Sequence, residues 1–167
     1  YDGKHGYEIL ADNTVEELKH IHAVYDLAKE QGDITDSSYE ALEKRWKDEN
    51  AERSEKVEKG EVIYGLKEYT FQLYLDYEIS TLKEKYCNDT NREGMKLTED
   101  EIQEHYQSRE WIFGDSDENA DLEMARIAVE RELREQKYDG MITQRETGSQ
   151  VEGNMENVNR LTLKNIQ

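Results

Sequence analysis

Residues 66–86, LKEYTFQLYLDYEISTLKEKY, decide how this chain is read. At about 100° per residue they carry two apolar stripes where a surface helix needs one. Leu66, Tyr69, Leu73 and Tyr77 fall on one side, and Phe71, Leu75, Ile79, Leu82 and Tyr86 fall nearly opposite. The pattern predicts a central helix that meets different partners at its two ends. Proline is absent from all 167 residues, so glycine is the main interruption to long helices. The expected class is therefore all-α, a single helical domain over 1–167 with five helices.

Downstream, 87–96 reads as a polar loop. Leu97, Thr98, Glu101 and Ile102 then spell a capping box with a hydrophobic staple. The helix they open is expected to run to Phe113, with Ile102, Tyr106, Arg109 and Phe113 on one face and Gly114 as its stop. A last long helix is expected to start within the acidic run 115–119 and to reach about Arg145. Leu122, Ala125, Val129 and Leu133 form its main stripe, with Met124, Ile127 and Tyr138 beside it.

Upstream, 14–59 reads as an N-terminal helical arm. Thr14 and Glu17 form a second capping box, and Gly32 stops the helix. Its buried face is expected to be Val15, Leu18, Ile21, His22, Tyr25 and Ala28. The next helix should start near Asp36 or Ser37, with Glu40 reaching back to the cap, and run to about Lys59. Its thin stripe of Tyr39, Leu42, Trp46 and Val57, shared with Asn50 and Arg53, predicts a helix solvated on most sides. Residues 65–145 form the central helices, and 150–167 a tail. Alternation at Leu161 and Leu163 leaves room for a small terminal strand pairing with residues 7–10.

Forty Asp and Glu against 22 Lys and Arg give a net charge of −18. Such a chain repels phosphate backbones and anionic lipid headgroups, so nucleic acid and direct membrane insertion are not expected partners. The single cysteine, Cys87, has no metal or redox spacing and reads as a small residue at a helix end. The chain opens at Tyr1 without methionine, as a processed form would.

Glu17 with His20 could supply half of a carboxylate-bridged metal site, but the second E-x-x-H is missing, and a surface pair is the simpler reading. Glu101 and His105, one turn apart, read as a helix-stabilising pair. Asp89, Asn91, Glu93 and Gly94 follow the start of a calcium loop, but Lys96 and Asp100 break it; Ala120 and Arg126 break the alternation of Asp115, Asp117, Asn119 and Asp121. No metal, cofactor or catalytic residue is expected, since nucleophile and phosphate-loop motifs are also lacking.

The eleven tyrosines are a better lead. Many lie on or beside the central helix, and a groove they line would suit unfolded or extended polypeptide. Tyr69, Leu73, Tyr74, Tyr77 and Trp111 are the candidate peptide-binding residues. The main alternative is an acidic helical adaptor or surface structural protein whose arm binds a basic partner.

The run Leu97-Thr98-Glu99-Asp100-Glu101-Ile102, with Tyr106 and Phe113, resembles the helical chaperone region of SurA/PrsA-type secreted peptidyl-prolyl isomerases. The resemblance covers about 65–145 and closes on Tyr138 and Ile142. His105 departs from the family's pattern, and nothing resembles the parvulin isomerase domain. The resemblance implies a non-catalytic, chaperone-like, extracytoplasmic bacterial protein, with a lipid anchor at the cell surface as one form of it.

Overall fold

The computed structural model describes residues 3–115, 117–149 and 155–166. Those residues form six helices: α1 (Gly6–Glu30), α2 (Tyr39–Glu58), α3 (Phe71–Asn88), α4 (Glu99–Gln107), α5 (Leu122–Gly148) and α6 (Met155–Ile166). Among the described residues there is no strand, so the all-α expectation holds and the terminal strand pairing does not. Residues 7–10 lie in α1, residues 161–163 lie in α6, and the two helices pack on each other. Short apolar alternations do not separate strand from helix when a long amphipathic partner is present.

The chain divides into two compact units, Tyr1–Leu75 with Ile142–Gln167, and Asp76–Met141. In the first unit, Ala11, Ala23, Val24, Tyr25, Leu27 and Ala28 of α1 are buried, with Leu42 of α2 and Tyr74 and Leu75 of α3. The α1 face is rotated from the expected one: Leu18 and His22 are exposed. Helix α1 also starts earlier than its Thr14 box predicts. His5 N–H donates to Glu8 Oε2 at 2.7 Å, while Thr14 sits mid-helix and its hydroxyl donates to the Leu10 carbonyl at 2.9 Å. Gly32 and Gly60, at φ of 75° and 71°, end α1 and α2 in the left-handed turn that glycine adopts without strain.

Helix α2 buries only Leu42 among its residues, as its thin stripe predicts. Its cap is Ser38, one residue past the expected Ser37, whose side chain accepts from Ala41 N–H at 3.2 Å. The face of Trp46, Asn50 and Arg53 does something a solvated helix need not do: it holds the backbone of the segment before α3. Asn50 accepts from Tyr69 N–H at 2.8 Å and donates to the Tyr69 carbonyl at 2.9 Å, and Trp46 Nε1 donates to the same carbonyl at 2.8 Å. Arg53 donates to the Tyr64 and Leu66 carbonyls at 3.2 and 2.7 Å, and its guanidinium lies 4.5 Å from the centre of the Tyr69 ring. With those groups engaged, 66–70 stays out of the helix, and α3 begins at Phe71 rather than Leu66. The Thr70 hydroxyl accepts from Leu73 N–H at 3.3 Å, and the Phe71 ring meets Trp46 edge-on at 5.5 Å.

The second unit is built on α4 and the middle of α5. Thr98 Oγ1 accepts from Glu101 N–H at 3.3 Å and Glu101 Oε2 accepts from Thr98 N–H at 2.8 Å, the expected capping box. Helix α4 stops at Gln107, six residues short of Phe113, because the following loop folds back around Trp111. The Trp111 indole N–H donates to the Tyr106 carbonyl at 3.0 Å, the Trp111 backbone N–H donates to Asn119 Oδ1 at 2.5 Å, and the Trp111 backbone carbonyl accepts from Ala120 N–H at 2.8 Å. Asp121, two residues past the acidic run 115–119 expected to start this helix, accepts from Met124 N–H at 2.9 Å, so α5 opens at Leu122.

Two of these interactions give measurable outcomes. Asn50→Ala removes both halves of the grip on Tyr69 and leaves a part-buried N–H without its acceptor; it should cost about 1–3 kcal/mol in chemical denaturation. An unchanged midpoint would show that the connector holds itself. At the capping box, Lys137 and the Thr98 amide hold the Glu101 carboxyl at about 2, down from an ordinary 4.5. A depressed carboxylate stabilises the folded chain above the unfolded value and ceases to do so as pH falls from about 4.5 toward 2. Glu101→Gln should therefore flatten the loss of stability across that window, and Thr98→Ala should cost about 0.5–2 kcal/mol at neutral pH.

Candidate functional site

Each of the five candidate residues has a definite place. In the first unit, Tyr74 is buried (5% exposed), Tyr69 is half-buried under Arg53 with its ring 6.3 Å from that of Tyr74, and Leu73 is half-exposed. In the second unit, Tyr77 is half-exposed, while Trp111 is 3% exposed in a core cluster with Ile102, Ala125 and Val129. The Arg109 guanidinium covers the indole at 4.1 Å.

Other apolar side chains stand open. In the second unit Ile127 is 85% and Met124 71% exposed, and both line one shallow groove with Phe113, Ala128 and Arg131. The sequence places Met124 and Ile127 beside the main stripe of α5, but Ile127 is two residues from Ala125, about 200° around the helix. That angle puts it on the opposite face and is the signal that could have found it. In the first unit Val62 and Tyr64 of the connector are exposed, at 80% and 87%, and the Tyr64 carbonyl is held by Arg53. Side chains this open on a restrained backbone present apolar area to solvent without further unfolding.

The polar candidates resolve into structural pairs. His20 Nδ1 lies 2.6 Å from Glu146 Oε1 rather than on Glu17. Glu101 is taken by Thr98 and by Lys137 at 2.5 Å, and His105 instead has Glu132 at 3.4 Å and the Trp111 ring at 5.8 Å. Asp89 accepts from Asn91 N–H at 3.0 Å and pairs with Arg92, while Asn119 and Asp121 build the loop and the start of α5. Among the described residues no group of three or more His, Cys, Asp or Glu side chains is placed to hold a metal. Burial pushes the Cys87 thiol up to about 11, so almost none of it is thiolate at neutral pH. No described helix is long and apolar enough to cross a membrane.

No protein-family model and no solved structure matches the chain. A curated protein does: the chain is 30% identical over 145 residues to a Bifidobacterium longum protein named as a chaperone for lacto-N-biosidase. The match covers 87% of this chain and 52% of the relative, so the chain spans about half the length of the curated protein to which it is similar.

Proposed function

We propose that this chain is a chaperone-like, non-catalytic protein that holds partly folded polypeptide through apolar side chains left open within its helical units. The observation that carries the reading is the exposure of Ile127, Met124 and Tyr64 on backbone that helix bonds or the Arg53 grip hold in place. An acidic chain with a net charge of −18 can leave such groups open because like-charge repulsion opposes its own association. The relative's printed role supports the same reading, and makes lacto-N-biosidase, or an enzyme like it, the client of choice.

The extracytoplasmic location is part of the proposal and rests on the resemblance to SurA/PrsA-type chaperones. The order of α3, a polar loop, the capped α4 and the long α5 is what supports that resemblance, whereas Phe113, expected to close α4, lies beyond its end at Gln107. The acidic-adaptor alternative uses the charge and leaves the open apolar groups without a purpose.

The test is the recovery of denatured lacto-N-biosidase on dilution, with and without the purified chain. Light scattering should fall and recovered activity should rise with chain concentration, and the effect should persist at moderate salt, where exposed charge pairs are largely screened. No suppression of scattering at a severalfold excess of the chain would overturn the chaperone reading. Suppression that vanishes with modest added salt would favour the adaptor.

A further inference from the structure

Met124, Ile127 and Arg131 follow one another along α5 at spacings of three and four residues, and Tyr138 continues the stripe about three turns beyond Ile127. At Tyr138 the stripe is covered: the ring is buried and lies 5.3 Å from the ring of Tyr86 in α3. At Met124 and Ile127 the same stripe is bare, with Phe113 standing beside it. The surface that this unit itself covers with a helix thus continues, uncovered, toward the start of α5.

Charge narrows what could lie there. Between Arg109 and Arg126 the chain has no Lys or Arg, and it carries Glu110, Asp115, Asp117, Glu118, Asp121 and Glu123. Asp121 is engaged in opening α5, and Asp115, Asp117 and Glu123 are exposed. Glu123 is one turn before Ile127 on its own side of the helix, and Asp115 follows Phe113 by two residues. Arg131, which also lines the groove, lies 3.7 Å from Glu135 and is offset by it, so the surplus of carboxylates over 110–123 gives the groove an acidic rim, which draws in a cationic segment and repels an anionic one.

We infer that the groove of Phe113, Met124, Ile127 and Ala128 binds a short amphipathic helix of the client, with apolar side chains one turn apart and lysine or arginine flanking them. This rests on the chaperone reading and names the class of segment that reading leaves open. The apolar stripe supplies the holding contact, and the acidic rim selects the segment and speeds its approach.

Fluorescence anisotropy with labelled peptides of about four turns tests it on the full chain. One peptide carries a leucine stripe flanked by lysines, a second has glutamates in place of the lysines, and a third keeps the lysines but has serines in place of the leucines. The first should bind at least tenfold more tightly than either of the others. M124S/I127S should weaken it about tenfold, each tenfold being about 1.4 kcal/mol. Both side chains are solvent-exposed, so the circular-dichroism spectrum should not change, and the single substitution Ile127→Lys should weaken binding in the same direction. D117N/E123Q should lessen its salt dependence.

Equal binding of the serine peptide, or binding indifferent to both M124S/I127S and Ile127→Lys, would overturn the inference. So would self-association of the chain that M124S/I127S abolishes in sedimentation, since the occupant would then be a second copy. If M124S/I127S suppresses client aggregation as well as the unaltered chain and binds the lysine–leucine peptide equally, this groove is wrong and the chaperone reading stands. If the unaltered chain binds that peptide selectively but does not suppress aggregation, the groove's chemistry stands and the chaperone reading falls.

Discussion

The first unit depends on one side chain that meets a backbone in both directions. The Asn50 amide accepts from the Tyr69 N–H and donates to the Tyr69 carbonyl, as a neighbouring strand would. A strand needs a second extended segment to do this, and asparagine does it from a helix. Because Trp46 and Arg53 lie on the same face, three side chains of α2 hold five backbone or hydroxyl groups of the connector: the Tyr69 N–H, the carbonyls of Tyr64, Leu66 and Tyr69, and the Tyr69 hydroxyl. The consequence is geometric. α3 has to start at Phe71, which places that ring against Trp46 and Tyr39, and Tyr64 is left open to water on a tethered chain.

In the second unit Trp111 takes the equivalent part, with aromatic bulk where the first unit uses polar side chains. Its N–H, carbonyl and indole N–H are all bonded to 106–120, so the loop after α4 is closed around a buried indole. Val129 and Ala125, wholly buried against it, fix which face of α5 is turned inward. Met124 and Ile127 are open for the same reason. A helix that gives its narrow, small-residue face to the core has its larger apolar residues on the other side.

Much of this was legible from local chemistry. Thr98 and Glu101 form the expected box because both partners lie within one turn and need nothing else. Gly32 and Gly60 end helices because a left-handed turn suits them. The Thr14 box misled because residues 6–13 contain no stop, and Ala11, wholly buried, carries the helix past it. Residues 66–70 have helical periodicity, yet their backbone bonds to side chains 13–23 positions earlier, which no window centred on them contains. At the site, the candidate aromatics were chosen by residue type, and type does not separate a buried Trp111 from a half-exposed Tyr77. Met124 and Ile127 were readable by angle alone, once Ala125 and Val129 were taken as the inward pair.

The size of the open α5 patch bears on how such a surface would work. Fully burying a side chain of the size of Ile, Met or Phe contributes about 1.5–3 kcal/mol; with Ile127, Met124 and Phe113 exposed at 85%, 71% and 42%, covering all three gives roughly 3–6 kcal/mol before any cost. Association costs about 4–15 kcal/mol in lost freedom, a sum of the same size or larger. Apolar contact alone therefore leaves little net affinity, and a second copy of the chain, bringing its own −18, makes the balance worse. A cationic partner alters the other side of the balance, because attraction to the carboxylates on 110–123 adds to the same encounter. A modest apolar patch in an acidic rim is thus selective because it is weak: it needs both terms at once. Under the proposed reading, a client segment that folds and buries its own apolar stripe would remove one of them and be released.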